Sequence, residues 1–177
     1  ITLAQGQEVF LEKQIADNKK AGLLAKLASQ SAYLYSQAAE GMQEFVKGVF
    51  DKVWTIVVQA KAAHMASVAS YYQALTDSES GSHGVAIARL QLAEKNSTAA
   101  LGWAKSFPSS VSPNANLSSE SGTNLLDIIK YHLANVQAKL TVFMKDNDFI
   151  YHQPIPSEAG LSAVAKLPAA KAIPVSE

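Results

Sequence analysis

The stretch Ala66-Ser67-Val68-Ala69-Ser70-Tyr71-Tyr72-Gln73-Ala74-Leu75, followed after a turn by Gly84-Val85-Ala86-Ile87-Ala88-Arg89-Leu90-Gln91-Leu92-Ala93, decides how this chain folds. Both halves carry small residues where two helices would cross. Such side chains let backbones approach closely, and the nearby tyrosine fills the space beside them. Between the halves, Thr76 to Gly84 is rich in Ser, Gly and Asp and reads as the connector. The unit is therefore an antiparallel helical hairpin. Stacked hairpins of this kind make concave surfaces that receive a peptide or a helix, and they seldom build a catalytic centre unaided.

The pattern continues on both sides. Upstream, Phe50, Val53, Trp54, Val57, Ala60, His64 and Val68 form one stripe of the same helix, which Gly48 separates from its predecessor. That predecessor carries Leu24, Leu27, Ala28, Ser31, Leu34, Tyr35, Ala38, Met42 and Phe45 on one arc. Ahead of it, Leu3, Phe10, Leu11 and Ile15 recur with Gln7 and Gln14 in the same rows, and Asp17-Asn18 and Gly22 interrupt the pattern. Downstream, Ile87, Leu90, Ala93, Ser97 and Leu101 keep helical spacing, and a Ser/Pro/Asn loop then spans 106–122. The last helix has the cleanest seam, Leu126, Ile129, Leu133, Val136, Leu140 and Phe143. It stops at Lys145-Asp146-Asn147-Asp148, and Pro154 and Pro156 forbid its resumption.

No stretch alternates with period two for long enough to make a sheet. The expected fold is all-α: antiparallel helical hairpins with tetratricopeptide-like solenoid packing, helices over roughly 2–16, 21–46, 50–76, 84–105 and 123–145, and an extended tail over 149–177. The start has no capping residue ahead of the apolar pattern, so the chain reads as a piece of something longer.

Composition bounds the function. The 177 residues are 48% hydrophobic and 17% charged, enough for a real core and unlike a disordered polymer. Fifteen basic residues balance fifteen acidic ones, which argues against nonspecific nucleic-acid binding or a polybasic membrane anchor. Without cysteine there is no disulfide frame, thiolate metal site or thiol nucleophile. Apolar runs are too short to span a bilayer. His64 sits on an apolar stripe with no second ligand at helical spacing, so it reads as a core histidine. His83 reads as solvated and His132 as exposed or semi-buried. Glu8 and Glu12 read as a solvated face beside Lys13. An enzyme built on His64 or His132 needs a convergent polar pocket that the sequence does not assemble; no catalytic residue, metal site or cofactor is expected. Phe10, Leu23 and Leu27, with Lys13 at the rim, are core residues on composition alone and a helix-binding patch if exposed together.

Four blocks carry a resemblance: Leu3-Ala4-Gln5-Gly6-Gln7-Glu8-Val9-Phe10, Ala25-Lys26-Leu27-Ala28, Ile87-Ala88-Arg89-Leu90-Gln91, and Lys145-Asp146-Asn147-Asp148-Phe149-Ile150-Tyr151-His152 with Pro156. In order and spacing they resemble the Bro domain, the boomerang-shaped domain of the Alix-type adaptors in endosomal sorting and ambient-pH signalling. The likeness covers the chain from end to end, as the C-terminal portion of such a domain. The N-terminal half with its small β-sheet is missing, and loop 106–122 is longer than in animal members. Leu167-Pro168 to Val175 and His152-Gln153 resemble the fungal vacuolar-sorting branch more than the pH-signalling one.

The resemblance implies a non-catalytic adaptor, cytoplasmic and recruited to endosomal membranes, that binds the C-terminal amphipathic helix of a Snf-type ESCRT-III subunit. The alternative is a scaffold of the ambient-pH pathway using the same groove. Carried over by position, the family's groove residues fall on Phe10, Lys13, Leu23 and Leu27. Tyr151 matches its terminal tyrosine, read first as an aromatic that holds the tail and second as a site of phosphoregulation. Other endosomal sorting factors are further implied partners, and self-association of the piece is expected from apolar surface that the missing half leaves open.

Overall fold

The computed structural model describes residues 2–45, 49–107 and 119–167. Five helices follow one another: α1 (Thr2–Ala16), α2 (Ala21–Phe45), α3 (Val49–Glu79), α4 (His83–Lys105) and α5 (Ser119–Asp146). A π-helical turn, Asn147–Tyr151, and a 3₁₀ turn, Glu158–Gly160, punctuate an extended tail. The described residues contain no strand. The all-α expectation holds. The break expected at Gly48, the body of the 106–122 loop and the last ten tail residues lie outside the described residues.

α3 is the central element, with α2 and α4 packed on it; α1 leans on α2, and α5 on α4. This order explains why α3 and the first half of α4 are buried on more than one side. Alanine and serine occupy their crossings (Ala69, Ala74, Ala86 and Ala88 are all buried), so the backbones come close, as the small-residue pattern requires. Tyr71 and Tyr72 meet edge-on beside the crossing, their ring centroids 5.2 Å apart. One core cluster joins Leu11 of α1, Leu24, Leu27 and Tyr35 of α2, and Val58, Met65 and Val68 of α3. A second joins Ala60, Ala100, Leu125 and Ile129, and so ties α5 to the α3–α4 pair. Each fully buried leucine or isoleucine in these clusters contributes about 1.5–3 kcal/mol relative to exposure.

Several boundaries differ from expectation for visible reasons. α3 runs on through Glu79, because Thr76 Oγ1 donates to Tyr72 O (3.1 Å) and Gln73 Nε2 to Asp77 Oδ1 (3.0 Å) along its last turns. Only Ser80 to Ser82 remain as the connector, with Gly81 at φ +91° making the reversal. The α1–α2 break falls at 17–20, as the 2–16 and 21–46 expectation had it, with Asn18 at φ +53° making the turn. α5 starts at Ser119, four residues before the expected 123. Past its end the chain winds once more through Tyr151 before it extends. Asn147 clamps that exit: its amide donates to Gln153 O (3.0 Å) and its Oδ1 accepts from Gln153 N (2.9 Å). Among the described residues no helix is long and apolar enough to cross a membrane, and no cluster of His, Asp or Glu could hold a metal ion.

Candidate functional site

α1 and α2 carry the candidate docking residues. α1 turns Ala4, Gln7 and Leu11 inward, at spacings of three and four, and leaves Leu3 and Phe10 outward. Gln7 takes a core position because its side-chain amide is satisfied there, Nε2 donating to Leu27 O at 3.2 Å and to Leu167 O at 3.1 Å. Phe10 is 37% exposed, and Lys13 points to solvent in the last turn of α1. Leu23 is half-buried, one side packed on the core cluster of Leu24 and Leu27. Leu27 is only 1% exposed. The patch expected of Phe10, Lys13, Leu23 and Leu27 therefore has three members at the surface. The fourth, Leu27, is sealed in the core cluster with Leu11, Leu24 and Val58, which corrects the expectation that it lies in an exposed patch.

The edge is rigidly backed. Tyr35 donates its hydroxyl to Glu8 Oε2, and Lys61 Nζ of α3 lies 2.8 Å from the same oxygen. Burial, then the Glu8 charge, raises the Tyr35 phenol far above its ordinary range, so it stays a donor at any physiological pH. Glu8, expected on a solvated face, thus ties α1 to α2 and α3 at once. Burial followed by the Glu8 charge also raises the Glu12 carboxyl.

A second concavity, of about 300 Å³, opens between Glu8, Trp54, Lys61, His64, Leu125 and Ile128. Two of its polar groups, Glu8 and Lys61, are spent on each other. Beneath it His64, 7% exposed, meets His132 edge-on at 5.2 Å, a pairing across 68 positions that helical spacing could not reveal. Ser67 Oγ gives its one proton to Ala93 O (2.6 Å), so at 2.9 Å it must accept from His132 Nε2–H. Ser67 is fully buried and its one proton is committed to Ala93 O, so this serine–histidine contact packs α3 against α5. Desolvation first, then the Lys61 charge, lowers the His64 pKa to about 4; desolvation and then His64 lower His132 to about 3.

At the far end of the molecule Tyr151 stacks on His83 (3.5 Å between centroids, 11° between planes), and Ser78 Oγ lies 3.3 Å from His83 Nδ1. His83 is therefore a stacking partner rather than a solvated residue. Tyr151 remains 43% exposed beside Phe149 and Ile150, whose exposure on the π-helical turn the sequence pattern did not signal.

The extended tail was expected, but its packing back on the helices is what sequence reasoning missed. Val164 and Leu167 pack on the α1–α2–α3 core, Ser29 Oγ donates to Val164 O (3.0 Å), and Leu167 N donates to Lys26 O (3.1 Å). Its anchor is at Gly84, whose N–H donates to Gln153 Oε1 at 3.0 Å. A Cβ at position 84 would sit 2.1 Å from Pro154 O, so only glycine admits the tail there.

The family described as BRO1-like domain matches residues 1–177. The vacuolar protein-sorting protein bro1 of Emericella nidulans is 76% identical over 177 residues, which is 100% of this chain and 18% of that protein. A solved ALIX BRO1–CHMP4C complex is 30% identical, with a TM-score of 0.69, over 98% of this chain and 43% of that one. A Bro1-domain structure concerned with endosomal targeting, 23% identical, shares the fold at a TM-score of 0.76 over 95% of this chain and 43% of its own.

Proposed function

Because the chain belongs to the BRO1-like domain family, we propose that it works as a non-catalytic adaptor in endosomal protein sorting, docking the C-terminal amphipathic helix of a Snf-type ESCRT-III subunit on the α1–α2 edge. The observation that carries this reading is the outward position of Phe10 and Lys13, with Leu23 half-buried, on two helices tied together by the Glu8–Tyr35–Lys61 cluster. Two apolar anchors on a rigid edge suit an amphipathic helix, which supplies apolar side chains at i, i+3 and i+4. Lys13, which makes no ion pair among the described residues, would orient an acidic residue of that helix more than tighten its binding. The vacuolar-sorting relative and the BRO1 chain solved with CHMP4C support the partner class, and the former favours sorting over ambient-pH signalling. Recruitment to endosomal membranes through that partner, and contact with other sorting factors, belong to the same reading.

Titration of a fluorescent synthetic Snf-type C-terminal helix against the chain tests it. Leu23→Asp should weaken binding by roughly tenfold or more, since one lost buried anchor is worth about 1.5–3 kcal/mol. Equal affinity of the two proteins would remove the α1–α2 edge as the docking site.

A further inference from the structure

We propose that residues 161–167 are a strap in cis, seated over the distal end of the docking edge, which a partner helix must lift to reach Leu27. The inference rests on the reading of the α1–α2 edge as the partner's seat, and deepens it by giving that seat a built-in competitor.

The strap has the form of a bound peptide. Leu161, Val164 and Leu167 are the half-buried residues, one in every three, while Ser162, Ala163, Ala165 and Lys166 between them are exposed. A three-residue repeat places one face of a polyproline-II-like chain against its support, and Leu161 has the matching backbone, φ −84° and ψ 134°. Its polar grip runs along the whole segment. Arg89 donates to Ser162 O and Ser162 Oγ, both at 3.1 Å, and Ser29 Oγ holds Val164 O. Lys166 Nζ sits 4.2 Å above the Tyr33 ring, and Leu167 bonds through its N–H to Lys26 O and through its carbonyl to Gln7.

Position makes the strap a competitor. Leu167 is tied to the Lys26–Leu27 turn, and Gln7 bridges its carbonyl to that of Leu27. Leu23 reaches the surface and Leu27, one turn further along the same side of α2, does not. A helix with anchors one turn apart would meet Leu23 first and Leu167 next. With Leu167 raised, Leu27 becomes the next anchor and the edge lengthens by a turn. The strap can lift because nothing in it is helical or paired into a ladder: three half-buried apolar side chains, one backbone bond to Lys26 O, the Lys166–Tyr33 contact and a few side-chain hydrogen bonds hold it, the kind of segment that opens well before the core does.

If the strap is seated about 90% of the time, it weakens apparent affinity by about tenfold. Leu167→Asp, checked by circular dichroism for native helicity, should therefore bind the synthetic Snf-type helix about tenfold more tightly than the unchanged chain. In the unchanged chain, saturating peptide should speed tryptic cleavage after Lys166 several-fold, a readout free of any folding effect of substitution. Unchanged or weaker binding by Leu167→Asp, or cleavage indifferent to peptide, overturns the strap. If Leu23→Asp still abolishes binding in that case, the docking edge itself stands. Equal affinity of Leu23→Asp and the unchanged chain overturns the edge and the competition together.

Discussion

Gly84 and the His64–His132 pair show how much single positions decide. Gly84→Ala would press a methyl group into the Pro154 carbonyl, a backbone atom that cannot rotate away, while Gln153 loses its seat. Strain of this kind costs about 1–3 kcal/mol. The urea midpoint should drop accordingly, and cleavage after Lys166 should accelerate as the tail loosens; a variant as stable and as resistant as the parent would contradict the close approach. The two histidines are held neutral by burial. From about pH 6.5, where the unfolded chain begins to take up protons, down to about 4, the folded chain refuses them. Stability is therefore full above that range and falls with pH at about 1.4 kcal/mol per unit per histidine, levelling off below about 3. Urea midpoints measured from pH 6.5 to 4.5 should decline, and His132→Asn should flatten the decline by about half; parallel profiles for the two proteins would remove the pair as the cause. His64 was legible as a core residue because its stripe lies within one helix. Its partner was not, because periodicity says which face a residue occupies and never which distant helix meets it. Glu8 was misread for the same reason: its partners Tyr35 and Lys61 come from other elements.

At the level of elements, the helical repeats were readable because long amphipathic stripes have a strong period; α5 and α2 as far as Ala38 follow their expected arcs closely, while the Met42 and Phe45 side chains lie outside those described. Ends were less so. α3 outruns its expected stop because Asp77 is recruited by Arg89 of α4, whose side chain is 6% exposed, and by Gln73 one turn earlier. Asp77→Ala leaves that guanidinium with only its tail contacts and should cost roughly 3 kcal/mol, with the α3–α4 turn exchanging its amide hydrogens first; exchange unchanged at Ser80 to His83 would deny the bridge this role. On the proposed docking edge, packing and binding roles should separate within two turns of helix. Leu27→Ala should lower stability by about 2–5 kcal/mol, as large-to-small core changes do, whereas Phe10→Ala should cost under about 1 kcal/mol yet weaken the Snf-type helix by roughly tenfold. A reversed pattern, with Phe10 critical to stability and neutral in binding, would mean that the surface has been assigned to the wrong residues.

Among the described residues the hairpins form a short solenoid in which each helix packs chiefly on its neighbours, α1 on α2 and α2 on α3. The chain spans 18% of the length of its Emericella relative. Amide chemical-shift mapping of the isotopically labelled chain, titrated with the synthetic Snf-type C-terminal helix, is the most direct test. The largest shifts should fall on Phe10 to Lys13 and Leu23 to Leu27, with Val164 to Leu167 moving in step. Shifts gathered instead around Phe149 to Ile155, or along α5, with the α1–α2 edge silent, would contradict docking at this surface.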